Sequence, residues 1–96
     1  MDYIMTDHSK LRANQRGFVL SDIDLLHKYG DYRFQGTGGK IIYFSKKSIS
    51  KMAKLFSRDQ LKKIEKKLKM YMVVDCKENI IITVGYMYKK PRKFHV

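Results

Sequence analysis

The first thirty residues have the polar and apolar spacing of two short helices. Thr6 precedes residues 7–16 and Gly17 follows them, which is the order of a cap, a helix and a terminating glycine. Residues 21–24 have the S-x-x-D spacing of a capping box, so a second helix is predicted over residues 22–29. The buried face of this second helix is expected to consist of Ile23, Leu26 and Tyr29.

From residue 31 onward the pattern changes to the alternation that is typical of strands. Residues 31–44 alternate on either side of a glycine-rich turn at 36–39, which predicts a β-hairpin. Residues 70–88 are rich in β-branched and aromatic residues around a turn at 76–78, which predicts a second hairpin.

Two further helices are predicted between the hairpins. Ser45 is placed to cap the first of them, and Ser57 with Gln60 has the spacing of a capping box for the second. Their apolar faces are expected to be Ile49, Met52, Ala53 and Phe56 in the first helix and Leu61, Ile64 and Leu68 in the second.

These elements indicate one α+β domain over residues 1–96, with residues 89–96 as a basic tail. The predicted order is α-α-β-β-α-α-β-β. The helices are expected to pack on one face of a four-stranded antiparallel sheet. No internal repeat interrupts this order.

The charge of the chain is strongly positive and unevenly distributed. It carries 21 Lys and Arg against 9 Asp and Glu, a net charge of +12. Residues 46–69 hold ten of the basic residues and only Asp59 and Glu65 as acids. Such a distribution favours a polyanionic partner, which can be nucleic acid, an acidic protein or an anionic membrane. The alternative is a highly charged face that only contacts solvent.

Other features of the sequence favour the cytoplasm and argue against a membrane partner. No apolar run approaches the roughly 20 residues of a membrane span, and the amino terminus lacks the pattern of a secretory signal. The lone Cys76 cannot form an internal disulfide, as expected in a reducing compartment. A toxin exported by another route would share these features.

The predicted first helix carries the strongest candidate for chemistry. His8, Arg12 and Arg16 are four residues apart and therefore form one stripe on the helix. A histidine can transfer a proton near neutral pH, and arginine binds phosphate with two parallel donors. Cleavage of RNA through its 2′-hydroxyl needs both functions and no metal. The alternative is a packed histidine beside two solvated arginines.

A resemblance adds to this interpretation. The pattern H-x-x-x-R-x-x-x-R-G, the S-x-x-D helix, the glycine-bearing hairpin and the closing V-V-D…I-I-T-V-x-Y strands resemble a family of small bacterial domains of unassigned function. That family is similar in fold to RelE/ParE-type toxins and the barnase–colicin ribonucleases. The resemblance covers residues 6–88 and implies a site of His8, Arg12, Arg16 and Thr83. The lysine-rich segment 57–69 and the tyrosine-rich end depart from the family pattern.

Two groups of residues are expected to contact nucleic acid. Lysines of the fourth predicted helix would bind phosphates, and tyrosines beside the basic tail would stack on bases. The alternatives are that the tyrosines cover the core and that the lysine-rich helix lies on a membrane surface. The predicted binding residues are Lys62, Lys63, Lys66, Lys67, Tyr86, Tyr88, Lys89, Lys90, Arg92 and Lys93.

No metal site or cofactor is predicted, because the three histidines and Cys76 lack the spacing of metal ligands. Three functions remain open. The first is a toxin-like, metal-independent endoribonuclease in which His8 acts as general base or acid, Arg12 and Arg16 stabilise the phosphorane, and Thr83 or Tyr86 orients RNA. The second is a non-catalytic module that binds RNA or DNA. The third is a phage or mobile-element inhibitor of a host protein or its nucleic acid. An acidic antitoxin or a host protein is then a further expected partner.

Overall fold

The computed structural model describes residues 3–36 and 38–87. Strands and helices alternate in the pairs expected of an α+β fold, with one additional strand at the start. In chain order the elements are β1 (Ile4–Met5), α1 (Asp7–Gln15), α2 (Leu20–Tyr29), β2 (Asp31–Phe34), β3 (Gly39–Tyr43), α3 (Lys46–Leu55), α4 (Arg58–Ile64), a single 3₁₀ turn (Glu65–Lys67), β4 (Met70–Asp75) and β5 (Ile80–Tyr86).

The strands form one mixed sheet in the order β1-β5-β4-β3-β2. Both predicted hairpins are present, and β3 and β4 pair antiparallel between them. The prediction of four antiparallel strands was incomplete, because β1 adds a fifth strand parallel to β5 through the pairs Ile4–Ile80 and Met5–Ile81. A strand of two residues has no alternation that a sequence pattern can reveal.

The cap of α1 confirms the predicted start of the helix. The Thr6 hydroxyl accepts a hydrogen bond from the Ser9 amide at 3.0 Å, and Gly17 ends the segment with a φ of 74°. Ser45 and Ser57 likewise cap α3 and α4, with Gln60 completing the capping box of α4.

The predicted capping box of α2 is wrong. The helix begins at Leu20, two residues earlier than expected, and the Asp22 carboxylate accepts a hydrogen bond from the Val19 amide at 3.0 Å. Ser21 therefore lies within the first turn. A carboxylate satisfies a free amide of the first turn as well as a hydroxyl does, so Asp22 defines the start of the helix.

All four helices contribute side chains to one apolar core that they share with the sheet. The buried face of α2 contains Ile23 and Leu26, with Tyr29 packed beside them. In α3 the prediction of Ala53 as a buried residue is wrong. Ala53 is exposed, since the buried line of that helix passes through Ser48 and Met52. The strands and the residue that follows β3 contribute Ile42, Phe44, Met70, Met72, Val74, Ile81 and Val84 to the core.

Within residues 3–36 and 38–87, no helix is both long enough and apolar enough to cross a membrane.

Candidate nucleic-acid interface

The first helix lies along β5 and presents its predicted site residues on the outside. Ser9 and Ala13 face the core, where the Ser9 hydroxyl donates to the Thr6 carbonyl at 2.9 Å. His8 is exposed and Arg12 is half-buried. Arg16 is exposed just after the last turn of the helix. The stripe of His8, Arg12 and Arg16 is therefore at least partly accessible along α1.

Thr83 lies beside an irregularity in β5. Val73 pairs with Thr83 but Val74 pairs with Ile81, so Ile82 is an extra residue that forms a β-bulge. Val84 next to it is buried in the core, whereas Thr83 points to the other face of the sheet and is half-buried. The predicted site residues therefore lie on neighbouring elements, α1 and β5, but Thr83 faces away from the core on which α1 packs and is not brought together with His8, Arg12 and Arg16. None of the four lines either of the two surface cavities found among the described residues.

Tyr86 covers the core and does not form an open stacking platform. Its ring packs against Phe18 with 4.8 Å between the ring centroids, and its hydroxyl donates to the Arg16 carbonyl at 3.3 Å. This contact joins the end of β5 to the end of α1. Five other predicted binding residues, Tyr88, Lys89, Lys90, Arg92 and Lys93, lie outside the described residues.

Among the described residues, the side chain of Lys67 makes polar contacts within the protein, unlike the three other lysines that were predicted with it. Its ammonium lies 3.1 Å from the Asp22 carboxylate, donates to the Gly17 carbonyl and lies 5.2 Å from the centre of the Phe18 ring. These contacts bind the 3₁₀ turn to the segment between α1 and α2. The other three predicted lysines, Lys62, Lys63 and Lys66, are exposed.

The segment from α3 to the start of β4 presents most of its charge to solvent. Nine cationic side chains there are exposed, against the exposed acids Asp59 and Glu65. Within this segment, the sequence predicted nucleic-acid contacts only for the lysines of α4 and the 3₁₀ turn. The other cations entered that prediction only as part of the overall charge. The nine are Lys46, Lys47, Lys51, Lys54, Arg58, Lys62, Lys63, Lys66 and Lys69.

This basic segment is continuous with the end of α1. Lys67 contacts Gly17, and Tyr86 contacts Arg16 one residue before it. Arg16 therefore borders the charged surface of α4 and the 3₁₀ turn. We call the nine exposed cations together with Arg16 the basic surface.

Comparison with family models, with curated proteins and with solved structures finds no match. Evidence about function therefore comes from the charge of the surface and the geometry of the fold.

The described residues also bear on metal chemistry. Across 3–36 and 38–87, no group of three or more His, Cys, Asp or Glu side chains is arranged to hold a metal ion. Cys76 is exposed in the turn between β4 and β5, at the position predicted for that turn.

Proposed function

We propose that the protein binds RNA in the cytoplasm through its basic surface. The observation that carries this proposal is the imbalance of nine exposed cations against two exposed acids within residues 46–69. A surface of this kind creates a positive potential that attracts phosphates, and its lysines and arginines displace the cations condensed on the nucleic acid.

The packing of α4 disfavours a membrane as the partner. Leu61, Ile64 and Leu68 pack against the core. Helices that bind membrane surfaces need a broad apolar face toward the lipid. The apolar residues of this helix are already used for folding, so mainly its charged face meets the partner. Phosphates of a nucleic acid fit that face without any apolar insertion.

The test compares two double variants with the same change in net charge. Lys62→Gln with Lys66→Gln removes two cations of the basic surface, whereas Lys28→Gln with Lys77→Gln removes two exposed cations elsewhere. If both lysines contact phosphates, the first variant should bind a single-stranded RNA roughly tenfold more weakly. Its salt slope should be smaller by about two, because each lost phosphate contact removes about one.

The control variant should bind RNA within about twofold of the parent. Equal weakening of both variants would show that net charge acts without a defined surface, and the proposal would then be wrong. Duplex DNA and a synthetic acidic peptide serve as competitors. Displacement of RNA by the peptide at lower concentration than by nucleic acid would favour an acidic antitoxin or host protein as the partner.

A second candidate function is metal-independent RNA cleavage. It is favoured by the position of His8, Arg12 and Arg16 along one accessible stripe of α1, whereas Thr83 points to the opposite face of the sheet and is left out of this site. The resemblance of residues 6–88 to toxin-like domains leads to the same residues.

Cleavage is tested by incubating the purified protein with RNA and a metal chelator and mapping the ends that form. His8→Gln should keep RNA binding and thermal stability while lowering cleavage by roughly a hundredfold, the scale of a lost general acid or base. Arg12→Lys should also impair cleavage, because an ammonium lacks the planar pair of donors. A His8→Gln protein that is less stable but cleaves equally well would exclude His8 from the chemistry.

A further inference from the structure

A cavity of about 540 Å³ lies between the sheet and the start of α3, away from α1. Its walls come from β2, β3, α3, the 3₁₀ turn and the ends of β4 and β5. The volume is within the range of roughly 300–1,000 Å³ that small-molecule sites occupy. Another cavity among the described residues, of about 320 Å³, lies between α1 and α2.

Cationic side chains are in excess around the larger cavity. Arg33, Lys46, Lys47 and Lys69 line it together with the acids Asp31 and Glu65, so its lining carries two net positive charges. Among residues 3–36 and 38–87, the only ion pair within 4.0 Å joins Lys67 to Asp22. The four cations therefore face the cavity without a close carboxylate in the described part of the chain.

Arg33 is held in place by a neighbouring strand. Its Nε donates to the hydroxyl of Tyr43 at 3.0 Å, and Tyr43 is itself buried. This bond uses one donor of the guanidinium and fixes the direction of the group. The Nη donors stay available for an anion with two acceptor oxygens, as in a phosphate.

The two lysines at the start of α3 add to this excess of positive charge. Lys46 and Lys47 occupy the first turn, which contains no acidic residue. A cation in the first turn of a helix is unfavourable because the amino-terminal end of the helix is itself positive. An anion in the cavity would neutralise both lysines, so their position is easier to explain with a ligand than without one.

The remaining wall of the cavity is apolar. It includes Phe44, Ile49, Leu68, Met70 and Met87. Inorganic phosphate would not use this wall, whereas a flat heterocycle would bury its faces there. The carboxylates of Asp31 and Glu65 can accept hydrogen bonds from ribose hydroxyls or from exocyclic amines.

We propose that this cavity binds one nucleoside phosphate, with its phosphate among Arg33, Lys46 and Lys47 and its base against the apolar wall. The nucleotide can be one unit of a bound RNA strand, in which case the inference rests on the proposed function. It can also be a free mononucleotide, which requires no RNA binding. The chemistry that the cavity recognises is the same in both cases.

The methionines of the chain allow a direct test by NMR of methyl-labelled protein. Met70 and Met87 line the proposed cavity, Met5 lines the smaller cavity, and Met52 and Met72 are buried in the core. Titration with adenosine 5′-monophosphate should shift the signals of Met70 and Met87 and leave Met5 unchanged. Adenosine alone and inorganic phosphate alone should bind at least about tenfold more weakly, because each uses half of the site.

Two variants on the same helix provide the matched comparison. Lys46→Gln with Lys47→Gln should weaken binding of adenosine 5′-monophosphate about fivefold or more. Lys51→Gln with Lys54→Gln makes the same charge change at exposed positions that do not line the cavity, and it should change that affinity less than twofold. Equal effects of the two variants, or a shift of Met5 in place of Met87, would overturn the inference.

A single-stranded RNA oligonucleotide separates the two sources and the two proposals. If the oligonucleotide shifts Met87 and displaces the mononucleotide, the cavity holds one unit of a strand. If the mononucleotide binds and RNA does not, the cavity is a free-nucleotide site and the RNA proposal is wrong. If RNA binds while neither ligand affects Met70 or Met87, the cavity inference is wrong and the RNA proposal stands.

Discussion

At the scale of single residues, lysines that are adjacent in the sequence have different roles. Lys66 is exposed, whereas the side chain of Lys67 is 24% exposed and that of its partner Asp22 is 13% exposed. Lys67 also reaches the Gly17 carbonyl and the Phe18 ring. Partly buried charge pairs with additional hydrogen bonds are costly to break, because the remaining partner loses its compensation.

Lys67→Gln should therefore lower the free energy of unfolding by about 1.5–2 kcal/mol, the lower part of the range for a lost hydrogen bond to a charged group, because Lys67 is partly exposed to solvent. Lys66→Gln is the control and should leave stability within about 0.5 kcal/mol of the parent, as for most surface substitutions. Urea denaturation of both variants gives the two values. Equal stabilities would mean that the contacts of Lys67 with Asp22 and Gly17 contribute nothing.

A sequence pattern does not distinguish these lysines, since both belong to one run of basic residues. The same is true of Tyr86, which the pattern placed either over the core or in contact with bases. Its ring lies on Phe18 because β5 ends next to the turn that follows α1. Such contacts depend on where distant segments meet, and local spacing contains no information about that. The stripe of His8, Arg12 and Arg16 could be predicted from the sequence because it depends on helix periodicity alone.

At the scale of elements, the junction between α2 and β2 depends on close packing at one glycine. Gly30 ends α2, and its amide donates to the Leu26 carbonyl at 2.7 Å. A Cβ at this position would meet that carbonyl oxygen and lie 2.7 Å from Cγ2 of Ile42. The backbone angles of Gly30 suit any residue, so the requirement for glycine is steric.

Gly30→Ala should destabilise the protein by about 3 kcal/mol, at the upper end of the usual cost of overpacking. The rigid neighbours are a backbone carbonyl and a core side chain, and neither can move without disturbing α2 or β3. Gly36→Ala is the control, because a Cβ there meets nothing within 4 Å, and it should cost less than about 1 kcal/mol. Thermal melting of the two variants measures the difference, and similar melting temperatures would contradict the close approach of α2 to β3.

Most elements were predictable because capping residues mark the starts of helices and alternating side chains mark the strands. Hydroxyl caps at Thr6, Ser45 and Ser57 mark three helices, and alternation marks both hairpins. Two features of β5 were not predictable. Its pairing with β1 is parallel and involves residues more than seventy positions apart, and its bulge at Ile82 interrupts the alternation that defines the strand.

At the scale of the whole molecule, the helices lie between the apolar core and most of the positive charge. The sheet and the inner faces of the helices enclose the apolar residues, and α3 and α4 carry most of the basic surface on their exposed sides. Folding therefore leaves these like charges near one another, which disfavours the compact state. A bound polyanion would remove this repulsion, so RNA should raise the melting temperature of the protein as well as bind to it.

The strength of RNA binding should depend steeply on salt. If the basic surface contacts roughly six to eight phosphates, the affinity should fall by about several hundredfold to a few thousandfold between about 50 and 200 mM salt, because each contact releases condensed counterions. Fluorescence anisotropy with a labelled single-stranded RNA at several salt concentrations gives the slope. The Lys62→Gln and Lys66→Gln double variant should have a smaller slope than the parent, and the Lys28→Gln and Lys77→Gln double variant should share the slope of the parent. An affinity that does not change with salt would mean that phosphates are not what the basic surface binds, since counterion release accompanies every phosphate contact made by a lysine or an arginine.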